Sequence, residues 1–177
     1  MINREKASLL LFTGPTGVGK SVVADEVFEI LRKTSTPIAL VNFDELTYAS
    51  PLADDPHGTK LGLKNLRTMW PNYVEAGANK LIIPYVIESQ QDIDNLRASV
   101  PNADIFVVRL AASMAALEDR LRNRPMGGSL EWHLSRAQEL TNHYTNNNIG
   151  DIVIDTDNKT IHEVAEEVIA KWSPSAP

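Results

Sequence analysis

The chain has 177 residues, 43% hydrophobic and 23% charged, with a formal net charge of −6. This suits one soluble domain burying about 70% of its unfolded surface, and the acidic balance argues against a nucleic-acid partner gripped through its phosphates. No cysteine is present, which excludes disulfides, zinc–thiolate sites and cysteine nucleophiles and agrees with a cytoplasmic setting.

The N-terminal stretch MINREKASLLLFTG has an apolar run far shorter than the roughly 18 residues of a membrane span. It reads as neither signal peptide nor anchor, and no other stretch approaches that length, so no membrane partner is expected. Residues 8–12 read instead as a buried first strand. It stops at GPTGVGKS, Gly14-Pro15-Thr16-Gly17-Val18-Gly19-Lys20-Ser21, which fits G-x-x-x-x-G-K-[ST]. Apolar residues then recur at helical spacing through Val22, Val23, Ala24, Val27, Ile30 and Leu31, predicting a helix over 20–34. A glycine-rich loop between strand and helix is the setting that gives this motif its meaning. The glycines turn backbone N–H groups inward around a phosphate, and the helix N-terminus adds free donors and a positive dipole end. Lys20 is expected on the β- and γ-phosphates, and the Ser21 hydroxyl on Mg²⁺.

Ile38 to Phe43 reads as a second strand, ending at Asp44-Glu45. The polar stretch from Thr47 to Lys60 reads as a long loop, of the kind that serves as a lid or binding segment. Leu61 to Ala76 is helical by pattern, with Leu63, Leu66, Met69, Trp70 and Val74 near one face and Pro71 expected to kink or divide it. Lys80 to Ile87 reads as a third strand, with Pro84 pointing to an edge or an irregularity. Ser89 with Asp92 predicts a capped short helix to about Ser99. Ile105 to Leu110 is the fourth strand. Ser113 caps a helix that runs through Leu117 and Leu121 to Arg120, Arg122 and Arg124, broken by Pro125-Met126-Gly127-Gly128. A further helix covers about Ser129 to Tyr144, a last strand Ile152 to Ile154, and Thr160 with Glu163 boxes the terminal helix to Trp172. Residues 173–177 read as a frayed tail. There is no repeat and no linker, so 1–177 is expected to be one domain.

Strands alternating with helices predict a parallel sheet with helices on both faces, and ligands collect at the carboxyl ends of such strands. Those ends carry the glycine loop, Asp44-Glu45, Glu88-Ser89 and Asp155-Thr156-Asp157-Asn158. Asp44 is the candidate general base toward an acceptor hydroxyl; the competing reading is an Asp that merely ends a strand. Glu45 would orient substrate or a Mg²⁺-bound water. Arg120 and Arg124, four apart on one helical face, suit bidentate phosphate contacts beside a lid over about 120–130. Cations at a helix C-terminus are the plainer alternative, and for Arg109 and Arg122 a structural role is expected, with Glu118 or Asp119 as partner for Arg122. His57, His133, His143 and His162 have no metal-ligand spacing. Tyr48 and Tyr85 would line an acceptor pocket. No Asn-Lys-x-Asp guanine motif is present, because Asn158-Lys159-Thr160 is followed by Ile161.

With the glycine loop, Asp44, the LEDRLRNRP segment and DIVIDTDNKTIHEVAEEVI, the chain resembles the small P-loop kinases of the nucleoside-monophosphate-kinase-like group, which includes adenylylsulfate, gluconate and shikimate kinases and chloramphenicol phosphotransferase. The resemblance covers about residues 8–172. It implies a P-loop NTPase three-layer sandwich, with a five-stranded parallel sheet and a short lid. It further implies ATP with Mg²⁺ on Gly14 to Ser21, Asp44 facing a small-molecule acceptor, Arg120 and Arg124 on phosphates, and the loop with Thr156 and Asn158 near the adenine. The third strand departs from the group, carrying Pro84 and Tyr85 where several relatives have an acid or glycine. An ATP-dependent kinase is therefore expected; a nucleotide sensor without an acceptor, or a polynucleotide 5′-hydroxyl or toxin-like kinase, are the alternatives. Oligomeric state is not legible.

Overall fold

The computed structural model describes residues 6–50, 52, 54–123 and 129–172. Arg124, the Pro125–Gly128 break and the tail expected at 173–177 lie outside the described residues.

Five strands form one parallel sheet in the order β2-β3-β1-β4-β5, namely β1 (Ser8–Thr13), β2 (Ile38–Leu40), β3 (Lys80–Pro84), β4 (Asp104–Ala111) and β5 (Ile152–Asp155). Between them run α1 (Lys20–Lys33), α2 (Thr59–Glu75), α3 (Gln90–Ser99), α4 (Met114–Arg122), α5 (Leu130–Asn146) and the terminal α6 (Ile161–Lys171). Alternation along β1 divides the core. Leu10 and Phe12 face a cluster with Val23, Val27, Leu117, Leu121, Val164 and Val168, so α1, α4 and α6 cover that side. Leu9 and Leu11 face a second cluster with Phe43, Leu66, Trp70, Ile83 and Leu96, covered by α2 and α3. A strand buried on both faces reads as an unbroken apolar run, as Leu9 to Phe12 does.

The expected caps are present. Ser89 with Asp92 and Thr160 with Glu163 form reciprocal capping boxes, and Ser113 accepts from the Ala116 N–H. Three elements differ from expectation. The second strand stops at Leu40, and Phe43–Leu46 turns into a 3₁₀ helix, because Asn and Asp offer the backbone local alternatives to a sheet ladder. α2 continues through Pro71, near its C-terminus, with Leu66 and Trp70 buried and fastening it to the sheet; Val74, expected inward, is exposed. β3 is an interior strand that ends at Pro84 rather than Ile87. Tyr85 N–H bonds the Phe12 carbonyl, so the nitrogen of Pro84 faces the β2 side. There β2 has already ended, its last pairing being Leu40 with Ile82. The last bond on that side is the Val41 N–H to the Ile82 carbonyl, and Pro84, with no donor for the next β2 carbonyl, closes the ladder there.

α2 lies very close to the 3₁₀ helix. A Cβ added at Gly62 would meet Phe43 Cζ at 2.8 Å and Thr47 Cγ2 at 3.0 Å, and the Phe43 ring is fully buried with no room to give. Gly62→Ala is expected to cost about 1–3 kcal/mol, the usual range for overpacking. Thermal unfolding would read this as a Tm lower by roughly 2–4 °C per kcal/mol; an unchanged Tm would mean the two helices can separate freely.

Candidate active site

The order β2-β3-β1 sets three loops side by side at the carboxyl edge: the 3₁₀ segment with Asp44, the segment after β3, and the glycine loop.

The glycine loop departs from β1 into positive φ at Gly14, Gly17 and Gly19. Gly14 is required for a second reason: a Cβ there would lie 2.4 Å from the Leu110 carbonyl oxygen of β4. Gly19 stands at the N-cap of α1 with no capping side chain, and no acid occupies the first turn. That leaves a helix N-terminus suited to an anion. Lys20 Nζ donates to the Gly14 carbonyl at 3.0 Å and the Pro15 carbonyl at 3.1 Å, which holds the ammonium at the loop.

Asp44, on the 3₁₀ turn at the same carboxyl edge, lies within reach of the Lys20 charge. Desolvation pushes its carboxyl above the ordinary aspartate range, the positive charge of Lys20 opposes this, and Glu45 adds to the rise. On α1, Asp25 lies one turn beyond Ser21; burial and then the Glu45 charge raise its carboxyl. Glu45 itself accepts from Asn42 Nδ2 at 3.2 Å, and Asn42 Oδ1 is buried with no protein donor. Among the described residues no group of three or more His, Cys, Asp or Glu side chains is arranged to hold a metal alone. The Ser21 hydroxyl at the start of α1, with Asp44, Asp25 and Glu45 near enough to act on one another, offers the oxygen donors that Mg²⁺ takes.

The segment after β3 is braced from α5. Tyr144 donates its hydroxyl to the Ile87 carbonyl at 2.8 Å and lies 2.8 Å from Thr13 Oγ1, which accepts from the Ile87 N–H at 2.9 Å. Thr13 is fully buried, and burial pushes the Tyr144 phenol up to about 12. Arg109 Nη1 donates to the Tyr144 carbonyl, with its guanidinium 5.8 Å from the ring centroid, the structural role expected of it. His143 Nε2 lies 2.7 Å from the Glu88 carbonyl oxygen, and Arg136 pairs with the Glu88 carboxylate. Tyr144→Phe would leave the Ile87 carbonyl and the Thr13 hydroxyl short of a partner. It is expected to cost about 1–3 kcal/mol. Equilibrium denaturation checks this, and a variant as stable as the parent would show that the bonds carry nothing net.

Tyr85, expected to line an acceptor pocket, follows directly on β3. Its ring centroid is 4.1 Å from that of Phe43, and its hydroxyl is 3.5 Å from Thr59 Oγ1. Desolvation raises its phenol, and the charges of Asp92, Asp44 and Glu88 raise it further. Tyr48 is 82% exposed, in the shallow cavity that it lines with Thr47, Ser50, Leu52, Pro56 and His57.

Arg120, expected on phosphates, is engaged by protein groups beside the glycine loop. Nη1 donates to the Val18 carbonyl at 3.3 Å and to Thr156 Oγ1 at 2.9 Å, and Nη2 to the Thr156 carbonyl at 3.0 Å. Thr156, expected near the adenine, is buried and also donates to the Ala111 carbonyl. Arg120 thus ties the glycine loop to the β5 end, because Thr156 and Val18 flank α4 where the long side chain lands. Asn158 holds a turn at φ 56. Arg122 pairs with Glu118 on the surface of α4, as expected. Sequence reasoning missed Arg136 and Tyr144; neither lies near a motif, and only the docking of α5 brings them to the β3 end.

A family model described as chloramphenicol phosphotransferase-like protein matches residues 7–173. No curated protein matches the chain. Among solved structures, the tunicamycin resistance protein of Deinococcus radiodurans superposes with a TM-score of 0.64 at 20% identity, covering 93% of this chain and 95% of that one. A gluconokinase from Sinorhizobium meliloti 1021 gives 0.62 at 20% identity over 93% and 90%. The APS kinase of Mycobacterium tuberculosis, solved with AMPPNP and APS, gives 0.62 at 23% identity over 93% and 96%. These likenesses establish the P-loop kinase fold. No helix among the described residues is long and apolar enough to cross a membrane.

Proposed function

We propose that this chain, which belongs to the chloramphenicol phosphotransferase-like family, is an ATP-dependent kinase that moves the γ-phosphate of ATP to a small-molecule acceptor. The observation that carries the reading is that the Lys20 loop and the Asp44 turn stand at one carboxyl edge of the sheet, with the ammonium acting on the carboxyl.

The triphosphate would lie on Gly14 to Ser21, its charge met by the loop N–H groups, the α1 N-terminus and Lys20. The Ser21 hydroxyl would help hold Mg²⁺, whose charge would neutralise that of the transferring group. Asp44 would accept the proton of the acceptor hydroxyl as its oxygen attacks the γ-phosphorus and the bond to the β–γ bridging oxygen breaks, ADP leaving. Arg120 keeps the glycine loop in register with the β5 end, so in this reading it acts by positioning. Thr156 and Asn158 would border the nucleotide base, and Arg124 would be a further cation toward the phosphates. The setting is cytoplasmic, and the partner a small molecule rather than nucleic acid.

The test is transfer from γ-labelled ATP with Mg²⁺ into a panel of nucleoside monophosphates, sugar acids, aminoglycoside and phenicol antibiotics, adenylylsulfate and a 5′-hydroxyl oligonucleotide. Label in one small acceptor, lost in Asp44→Asn, supports the reading; label in the oligonucleotide alone, or ATP binding with no transfer to any compound, contradicts it.

A further inference from the structure

The segment after β3 lies between the two halves of the proposed chemistry. β3 is flanked by β2, which leads to Asp44, and by β1, which leads to the glycine loop. An acceptor with its hydroxyl at Asp44 and its γ-phosphate donor at the loop therefore rests on residues 85–88. Tyr85 forms that floor, its ring stacked at a tilt on Phe43 next to Asp44. Beyond it stands Glu88, whose backbone is fixed at several points: its N–H on Asp92 Oδ2 at 3.0 Å, its carbonyl on His143, and its neighbour Ile87 on Thr13 and Tyr144. Glu88 Oε1 pairs with Arg136 Nη2. Arg136 Nη1 is engaged as well, by Glu139 Oε1 at 2.8 Å.

That arrangement decides which charge the cleft offers. A guanidinium whose two terminal nitrogens already meet carboxylates is largely neutralised, and so offers less to a phosphate or carboxylate on the acceptor. Glu88 keeps its second carboxylate oxygen, and its side chain is 40% exposed. A carboxylate whose position is set from three elements is a ready acceptor of hydrogen bonds, and it repels an anion.

We propose that Glu88, oriented by Arg136, is the acceptor-recognition group of this site, and that the acceptor carries there a second hydrogen-bond donor, hydroxyl or ammonium, in place of phosphate or carboxylate. Glu88 is the binding residue and Arg136 the positioning residue. The proposal rests on the kinase reading and narrows its substrate class.

A matched three-carbon series tests it: glycerol, 3-amino-1,2-propanediol, glycerate and glycerol 3-phosphate, each offering a hydroxyl and differing in the group beside it. Transfer from γ-labelled ATP with Mg²⁺ is followed in the wild type, Glu88→Ala, Glu88→Gln and Arg136→Lys. In the wild type kcat/KM is expected to be about tenfold or more higher for glycerol and the amino-diol than for the two anions, the size of one good charged hydrogen bond. The amino-diol against glycerol separates ammonium from hydroxyl. In Glu88→Ala the preference collapses or inverts, because Arg136 is freed for anions, and the effect lies in the acceptor KM while the KM for ATP stays. Glu88→Gln keeps the hydroxyl substrate better than the ammonium one, and Arg136→Lys weakens the preference without inverting it. A wild type that prefers glycerate or glycerol 3-phosphate, or shows no discrimination, overturns the proposal. So does a Glu88→Ala that loses rate equally on all four, since a purely structural pair would do that. Failure of the kinase reading itself shows separately, as an ATP affinity identical in the wild type and Lys20→Ala.

Discussion

Lys20→Ala is expected to lower kcat/KM for ATP by about 10²–10³-fold, the loss typical of removing one preorganised charge-stabilising donor. The ammonium stands at the loop mouth, 3.0 Å from the Gly14 carbonyl and 3.1 Å from that of Pro15. No acid competes with an anion in the first turn of α1. Lysine suits the position as a compact point charge, so Lys20→Arg is expected to recover little, the planar fork being too broad for the place of a single ammonium. Calorimetric titration with ATP, run beside thermal unfolding, separates the two roles open to Lys20. If it only braced the loop, the variant would lose Tm and keep ATP affinity. Unchanged affinity and turnover together would remove the glycine loop from the proposed chemistry.

Asp44→Asn is expected to keep ATP binding and lose about 10²–10⁴-fold in kcat, the range for a lost general base. The amide is nearly isosteric and stays on the same 3₁₀ turn, where Thr47 bonds the Asp44 carbonyl at 2.7 Å whichever side chain is present. pH adds an independent readout. Desolvation and Glu45 raise the carboxyl in the folded protein while Lys20 lowers it, with a net upward direction. The ionised form is the active base, so activity should be full above this raised pKa and fall as pH drops through it, at a higher pH than an ordinary aspartate would give. The acidic limb should vanish in the variant, whose residual rate is flat over that window. Full activity in Asp44→Asn would remove Asp44 from the mechanism and favour a site that works by positioning alone.

The local features were legible without coordinates. GPTGVGKS between an apolar run and a helical period identifies the glycine loop, because the turn, the donors and the charge are all encoded within a few residues. The caps at Ser89, Ser113 and Thr160 are readable for the same reason: a side chain and the N–H it satisfies lie three residues apart. Alternating strands and helices likewise announced a parallel sheet, and Asp44 is proposed from its place after the second strand. What misled was also local. Pro71 read as a breaker, yet α2 runs on through it, held to the sheet by the buried Leu66 and Trp70, while Pro84 does end its strand, though in the interior of the sheet.

Tertiary structure alone decided the rest. Periodicity along the chain carries no record of which strand lies beside which, so the insertion of β3 between β1 and β2 is not written in any one segment. That insertion puts the segment with Tyr85 and Glu88 between the Asp44 turn and the glycine loop, and the docking of α5 brings Arg136 to Glu88 and Tyr144 to Thr13 from 48 and 131 positions away. Arg120 shows the same rule in reverse. Its spacing to Arg124 suggested a phosphate pair, and nothing in that spacing foretold the acceptors that packing of α4 against the glycine loop supplies in Val18 and Thr156. Side chains take the partners that the fold delivers, and delivery over such distances depends on burying the two faces of the sheet rather than on any local pattern.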